Sequence, residues 1–76
     1  MKALLKTIVS NIVDKPHEVF VRKIEDSKTI TLKLTVADED MGKVIGKQGK
    51  IAKAIRTVIQ AAATKEGKKA SVKIIQ

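Results

Sequence analysis

Between Lys2 and Val13 the apolar residues Leu4, Leu5, Ile8, Val9 and Ile12 recur at three- and four-residue intervals, with Lys6, Thr7, Ser10 and Asn11 between them. That spacing predicts an amphipathic helix. Pro16 lacks an amide hydrogen and disfavours helix in the residue before it, so it is expected to end the element. From Glu18 to Ile24 the β-formers Val19, Phe20, Val21 and Ile24 predict a strand, and the polar run Glu25-Asp26-Ser27-Lys28 predicts a hairpin turn. Thr29 to Val36 then alternates strictly. Ile30, Leu32, Leu34 and Val36 fall on one face and Thr29, Thr31, Lys33 and Thr35 on the other, the pattern of a half-buried strand.

Asp38-Glu39-Asp40 places a capping oxygen and first-turn carboxylates where a helix N-terminus favours them. Met41, Val44 and Ile45 give the following helix an apolar face of about two turns. Gly46-Lys47-Gln48-Gly49 interrupts it, a longer helix runs from about Gln48 to Thr64, and Gly67 ends that region. Ala70 to Ile75 sets Val72 and Ile74 against Ser71 and Lys73, a last strand. The expected order is α-β-β-α-α-β, in one domain over residues 1–76 with no internal repeat or linker.

In the long helix Ala52, Ile55 and Ile59 share one sector, the side expected to pack on the sheet. Ile51, Ala54, Val58 and Ala61 occupy the adjoining sector, and the whole apolar arc is roughly 200° wide against about 100° for an ordinary surface helix. Two readings fit that width: a helix buried further by the N-terminal helix, or an interface with a second chain centred on Ile51, Ala54 and Val58.

The chain has 76 residues and a mass of 8.3 kDa, enough for one core. A domain of this size buries only about 60% of its unfolded surface. It contains no cysteine, so disulfides, thiolate nucleophiles and sulfur-ligated zinc are excluded. No stretch approaches the roughly 18 apolar residues of a membrane span, and polar residues interrupt the N-terminal apolar positions where a signal peptide would be continuous. The chain reads as cytosolic.

Charge is distributed unevenly. Residues 1–40 carry seven basic and seven acidic side chains; residues 41–76 carry nine basic and one acidic, so the whole net charge of +8 belongs to the second half. Such a surplus points to a polyanion, nucleic acid first. The lone His17 has no metal cluster or carboxylate partner fixed by the sequence, and Gly42 to Gly46 is one residue too short for a nucleotide-binding P-loop. No catalytic residue, metal, cofactor or small-molecule substrate is expected.

Function concentrates in Val44-Ile45-Gly46-Lys47-Gln48-Gly49-Lys50-Ile51. Without a Cβ at Gly46 or Gly49 a phosphodiester can approach the backbone closely, and either residue can take positive φ. Unpaired amides at the start of the next helix attract an anion. Lys47 and Lys50 add mobile cations, while Val44 and Ile45 offer an apolar floor for bases.

With these residues the sequence resembles the KH family of RNA-binding domains, through the run Gly42-Lys43-Val44-Ile45-Gly46-Lys47-Gln48-Gly49-Lys50-Ile51-Ala52-Lys53-Ala54-Ile55-Arg56. The order matches the bacterial, type II arrangement, and the chain looks most like the small single-domain KhpA-type members. The resemblance covers essentially the whole chain. It implies an α+β fold, a three-stranded mixed sheet with three helices packed on one face. It also implies a GXXG loop from Gly46 to Gly49 that clamps about four single-stranded nucleotides. The RNA-binding set would be Lys43, Val44, Ile45, Gly46, Lys47, Gln48, Gly49, Lys50, Lys53 and Arg56. In the family's terms the partners are single-stranded RNA and a second KH chain, as homodimer or heterodimer. The role would be that of an RNA chaperone or post-transcriptional regulator connected to cell elongation and division. One departure is Ile51, a bulky residue directly after Lys50, where many relatives place their aliphatic residues at the positions of Ala52 and Ile55. Two other readings compete: a helix-turn-helix that reads duplex DNA with Lys50, Lys53 and Arg56, and a basic module for an acidic protein.

Overall fold

In the computed structural model, which describes residues 1–75, the most strictly alternating segment is the central strand. Strand β2 (Thr29–Thr35) pairs antiparallel with β1 (Phe20–Glu25) and parallel with β3 (Lys69–Ile75). Helices α1 (Lys2–Ser10), α2 (Met41–Ile45) and α3 (Lys50–Lys65) pack on the face that carries Ile30, Leu32 and Leu34. Single 3-10 turns lie at Pro16–Glu18, Asp38–Asp40 and Lys47–Gly49. The order, the mixed sheet and the one-sided helix layer agree with the expected α+β arrangement. No helix of the described residues is long and apolar enough to cross a membrane.

Leu5 and Val9 of α1 meet Ile30, Leu32 and Leu34 of β2, Val44 of α2, and Ile55 and Ile59 of α3 in one cluster. Each fully buried aliphatic side chain contributes about 1.5–3 kcal/mol relative to exposure. The face of α3 expected on the sheet is the buried one: Ala52, Ile55 and Ile59, with Ala63 one turn further on.

Two elements differ from the sequence pattern. The apolar spacing carries the first helix to Val13, but α1 ends at Ser10, well before Pro16. Asn11 caps it, its side-chain amide donating to the Thr7 carbonyl at 2.8 Å. The chain then turns so that Val13 still enters the core, while the amides of Asp14 and Lys15 point elsewhere. In β1 the register sets Val21 opposite Leu34 and Glu25 opposite Ile30, so Phe20, Arg22 and Ile24 share the other face. Phe20 is 64% exposed, and only Val21 of this strand is buried. Glu25, on the helix side, pairs with Lys68 and Lys23, and these hydrogen bonds, the one from Lys68 foremost, hold its carboxyl at about 2.

Side chains of α3 cover the outer edge of β3. Gln60 accepts the Ala70 amide at 2.9 Å and Arg56 Nε donates to the Val72 carbonyl at 3.2 Å. A naked edge would invite pairing with other chains. By the alternation of a strand, Ile74 turns its own amide and carbonyl to the same outer side.

The acidic run does not act as a helix cap. No side chain caps α2, and Asp40 is the one buried charged residue among the described residues, 1% exposed. Its two oxygens accept the amides of Asp14 at 3.1 Å and Lys15 at 3.0 Å, tying the α1–β1 connection to the start of α2. Burial pushes this carboxyl up, but the two amides, with Lys43 and Lys15 nearby, outweigh it and its pKa lies below the ordinary value. A group depressed in the folded state stabilises above its unfolded pKa and loses that contribution as pH falls through the folded value. Asp40→Asn leaves one of the two amides facing an amide hydrogen. It is expected to melt below wild type at pH 7, with the gap closing as pH drops below about 4. Thermal unfolding followed by circular dichroism across that range measures it, and a gap that stays constant with pH contradicts the assignment.

Candidate nucleic-acid interface

The loop between α2 and α3 is set by three residues with positive φ. Gly46 lies at φ 72°, ψ 177°, a region open essentially to glycine, and Gly49 at φ 73°, ψ 15° is left-handed. Gln48, between them, is left-handed too at φ 56°. The two glycines have different reasons to be there. A Cβ at Gly49 would meet nothing within 4 Å, whereas one at Gly46 would lie 2.6 Å from Cγ1 of Ile51. Ile51 is half-buried against the core and closes under the loop. It therefore shapes the bend from below while the outer side stays open.

Not every loop amide is available to a phosphate. The Gly46 amide donates to Gly42, that of Gly49 to Gly46, and that of Lys50 to Lys47. Among the described residues, the amides of Lys47 and Gln48 have no partner, and both side chains are exposed. Two main-chain donors without a partner among the described residues, flanked by the lysine side chains of Lys47 and Lys50, thus lie at an exposed bend.

Beside the loop runs a groove of about 660 Å³ lined by Met41, Ile45, Gly49, Ala52, Arg56, Ile74 and Ile75. Its floor is apolar. Arg56 stands at its rim, held by the Val72 carbonyl, with its remaining guanidinium hydrogens unengaged among the described residues. The outward amide and carbonyl of Ile74 border it, so a planar ring entering the groove meets aliphatic side chains and main-chain groups that can read its edge. A second depression of about 290 Å³ lies between α1 and α3, lined by Ile8, Ile12, Lys50, Ile51, Ala54, Ile55 and Val58.

Of the expected RNA-binding residues, Ile45, Gly49 and Arg56 line the groove, and Gly46, Lys47, Gln48 and Lys50 form or flank the loop. Lys53 lies apart, beside Arg56 on the outer side of α3 in a shallow hollow with Thr57 and Gln60. Val44 is a correction. It is fully buried, because the helical period that puts Met41 in the core brings Val44 to the same side and rotates only Ile45 outward. Lys43 lies outside the groove and is ion-paired with Asp14, whose hydrogen bond raises its pKa. Met41, Ala52, Ile74 and Ile75 line the groove without having been singled out. Nothing in a local pattern marks them, since they converge from three elements. Ala54 and Val58 are exposed, Val58 by 46%, while Ile51 is mostly committed to its own fold.

The Gly46–Ile51 contact makes a quantitative expectation. Gly49→Ala should destabilise by about 1–2 kcal/mol through backbone strain alone. Gly46→Ala should destabilise by at least about 1 kcal/mol more, because strain and the Ile51 clash add. Combined with Ile51→Ala, Gly46→Ala should cost less than the sum of the single changes by about 1 kcal/mol. A double-mutant cycle from urea unfolding reads this, and strict additivity would remove the contact's role.

The model of the KhpA/KhpB KH domain matches residues 2–74 of the chain. A curated protein of Clostridium acetobutylicum named "RNA-binding protein KhpA" is 61% identical over 75 residues, covering 99% of this chain and 100% of the relative. Proteins of the same name from Caldanaerobacter subterraneus and Listeria monocytogenes are 55% and 47% identical, over 99% and 100% of this chain and the full length of each relative. No solved structure matches the chain significantly. With the family's element order, its two-glycine loop and this similarity along its whole length, the chain belongs to the KhpA/KhpB family of KH domains.

Proposed function

We propose that this protein is a binder of single-stranded RNA, with residues 1–76 working as one KH module and the Gly46–Gly49 loop gripping the sugar–phosphate backbone. The observation that carries this reading is the outward bend itself. Two unpartnered amides at Lys47 and Gln48 sit beside unpaired lysines at the mouth of an apolar groove. Phosphate would meet the amides of Lys47 and Gln48 and the side chains of Lys47 and Lys50. Bases would lie over Ile45, Ala52 and Ile74, with Arg56 at the rim and Lys53 adding long-range attraction. The names of the relatives agree with RNA as the ligand. A groove of this size and apolar lining suits loose base preference, as an RNA chaperone or post-transcriptional regulator acting on many cytoplasmic transcripts requires. Duplex-DNA reading by α3 uses neither the groove nor the loop amides, and it leaves β3 without a role.

Replacing Lys47 and Gln48 together by aspartate tests the loop. Aspartate tolerates the left-handed conformation of position 48, so the bend persists while three units of charge are removed. Affinity for a single-stranded RNA of about six nucleotides should fall by at least roughly tenfold, with an unchanged circular dichroism spectrum. Unaltered affinity in a folded variant refutes the loop assignment.

A second KH chain is the partner we infer for the α1–α3 depression, whose lining exposes Val58. Ile51 is a poor probe here, because its loss also disturbs Gly46. Val58→Asp should convert a dimer to a monomer at micromolar concentration by mass measurement, leaving the RNA loop intact. A wild type that is monomeric at that concentration excludes the homodimer and leaves only a heterologous partner to be tested by mixing.

A further inference from the structure

The sheet face turned away from the helices belongs neither to the loop nor to the α1–α3 depression, and its composition is unusual. Arg22 lies opposite Lys33, and Lys33 opposite Lys73, so three cations form a row across all three strands. With neighbouring strands about 4.8 Å apart, the row is about 10 Å long. Like charges directly opposite each other weaken a sheet. Nothing on this face offsets them: no residue sharing its parity in the three strands is acidic, and Glu25 points to the helix side. Among the described residues none of the three forms an ion pair.

The adjacent row is Phe20, Thr35 and Ile75. Phe20 is the chain's one aromatic residue of the Phe, Trp and Tyr type, and it is 64% exposed rather than in the core. Ile75 belongs to this row and also lines the groove. At the end of β3 the groove and the open face therefore meet, and a strand leaving the groove past Ile75 reaches Lys73 next.

We propose that the open face of the sheet is a second RNA contact, taking the same single strand as it passes over the edge of β3. Phosphates lie along Lys73, Lys33 and Arg22, and a base stacks on Phe20. Charge complementarity selects this occupant. A second copy of the chain would bring one cationic row against another, whereas a phosphodiester neutralises the repulsion built into the sheet. The inference rests on the RNA reading of the loop and extends the footprint beyond the roughly four nucleotides that a KH groove holds.

Two RNA lengths and two sets of variants test it. Arg22→Thr, Lys33→Thr and Lys73→Thr together put onto this face the residue it already carries at Thr29, Thr31 and Thr35. The triple variant should melt at or above the wild-type temperature. On a single-stranded RNA of about twelve nucleotides, the slope of log affinity against log salt should shrink by about 2, roughly 0.7 for each lost phosphate contact. Affinity for about six nucleotides should stay within roughly twofold. Phe20→Thr should weaken binding of the longer RNA roughly 5- to 100-fold, again sparing the shorter. Wild-type affinity and salt slope of the triple variant on the longer RNA overturn the proposal. The loop variant separates the two readings. If Lys47→Asp with Gln48→Asp is silent while the triple variant is weakened, the loop reading fails and the sheet contact stands. The reverse result removes the sheet contact and keeps the loop. Should the triple variant unfold, Lys33→Thr alone provides the test, with an expected slope change of about 0.7.

Discussion

Gly46 lies so close to Ile51 that any side chain would displace one or the other. Through this contact the loop's outward shape becomes a property of the core. Ile51 packs against the same cluster as Val44 and Ile55, so the position of the bend is referenced to the helices on either side. The loop's internal hydrogen bonds, Gly46 to Gly42 and Gly49 to Gly46, then leave the Lys47 and Gln48 amides as the unpartnered donors. A free glycine linker would offer more donors in more arrangements, and it would lose more entropy on binding. Here the bulky side chain of Ile51, packed on the core directly beneath Gly46, holds the bend in one arrangement.

Helix α3 serves four neighbours from one cylinder. Its Ala52, Ile55, Ile59 and Ala63 stripe is the core contact. Arg56 and Gln60 reach over the edge of β3 and engage the Val72 carbonyl and the Ala70 amide. Its N-terminus carries the loop, and its Ala54–Val58 side faces the depression beside α1. The roughly 200° apolar arc read from the sequence is therefore the union of two separate surfaces, one buried and one open. Edge protection stops at Ile74, next to the groove, where the strand's outward main-chain groups are left for a ligand.

Element order was legible because β2 alternates without fault and the α3 stripe keeps its period over about three turns. The loop was legible because two glycines with a lysine on either side of Gln48 and Gly49 have few other uses. What escaped was everything decided by distant partners. Asp40 looks locally like a first-turn carboxylate at a helix start, and only the amides of Asp14 and Lys15, some 25 residues earlier, make it a buried clamp. Val44 and Ile45 are equally apolar, and a one-residue difference in helical phase sends the first into the core and the second to the groove. Phe20, Val21 and Ile24 all read as β-formers with no face assigned, and the register with β2 gives the inner face to Val21, Lys23 and Glu25. Period-2 patterns name two faces, and pairing decides which one is covered.

The basic surplus resolves into two populations once the ion pairs are known. Lys15, Lys23, Lys43 and Lys68 are paired with Glu39, Glu25, Asp14 and again Glu25; the Lys23 pair lies within β1 and the other three link separate parts of the fold. Such exposed pairs contribute little stability each. The cations without ion pairs among the described residues include Lys47, Lys50, Lys53 and Arg56 around the loop and groove, and Arg22, Lys33 and Lys73 across the sheet. Lys2, Lys6, Lys28, Lys65 and Lys69 also lack ion pairs among the described residues, so it is the clustering of cations at the loop and across the sheet, and not the missing counter-ions alone, that sets these two surfaces apart. On the proposed reading, anions relieve the repulsion along the β-row and at the helix start, and the continuity of groove and edge strand at Ile75 would let one polyanion serve both.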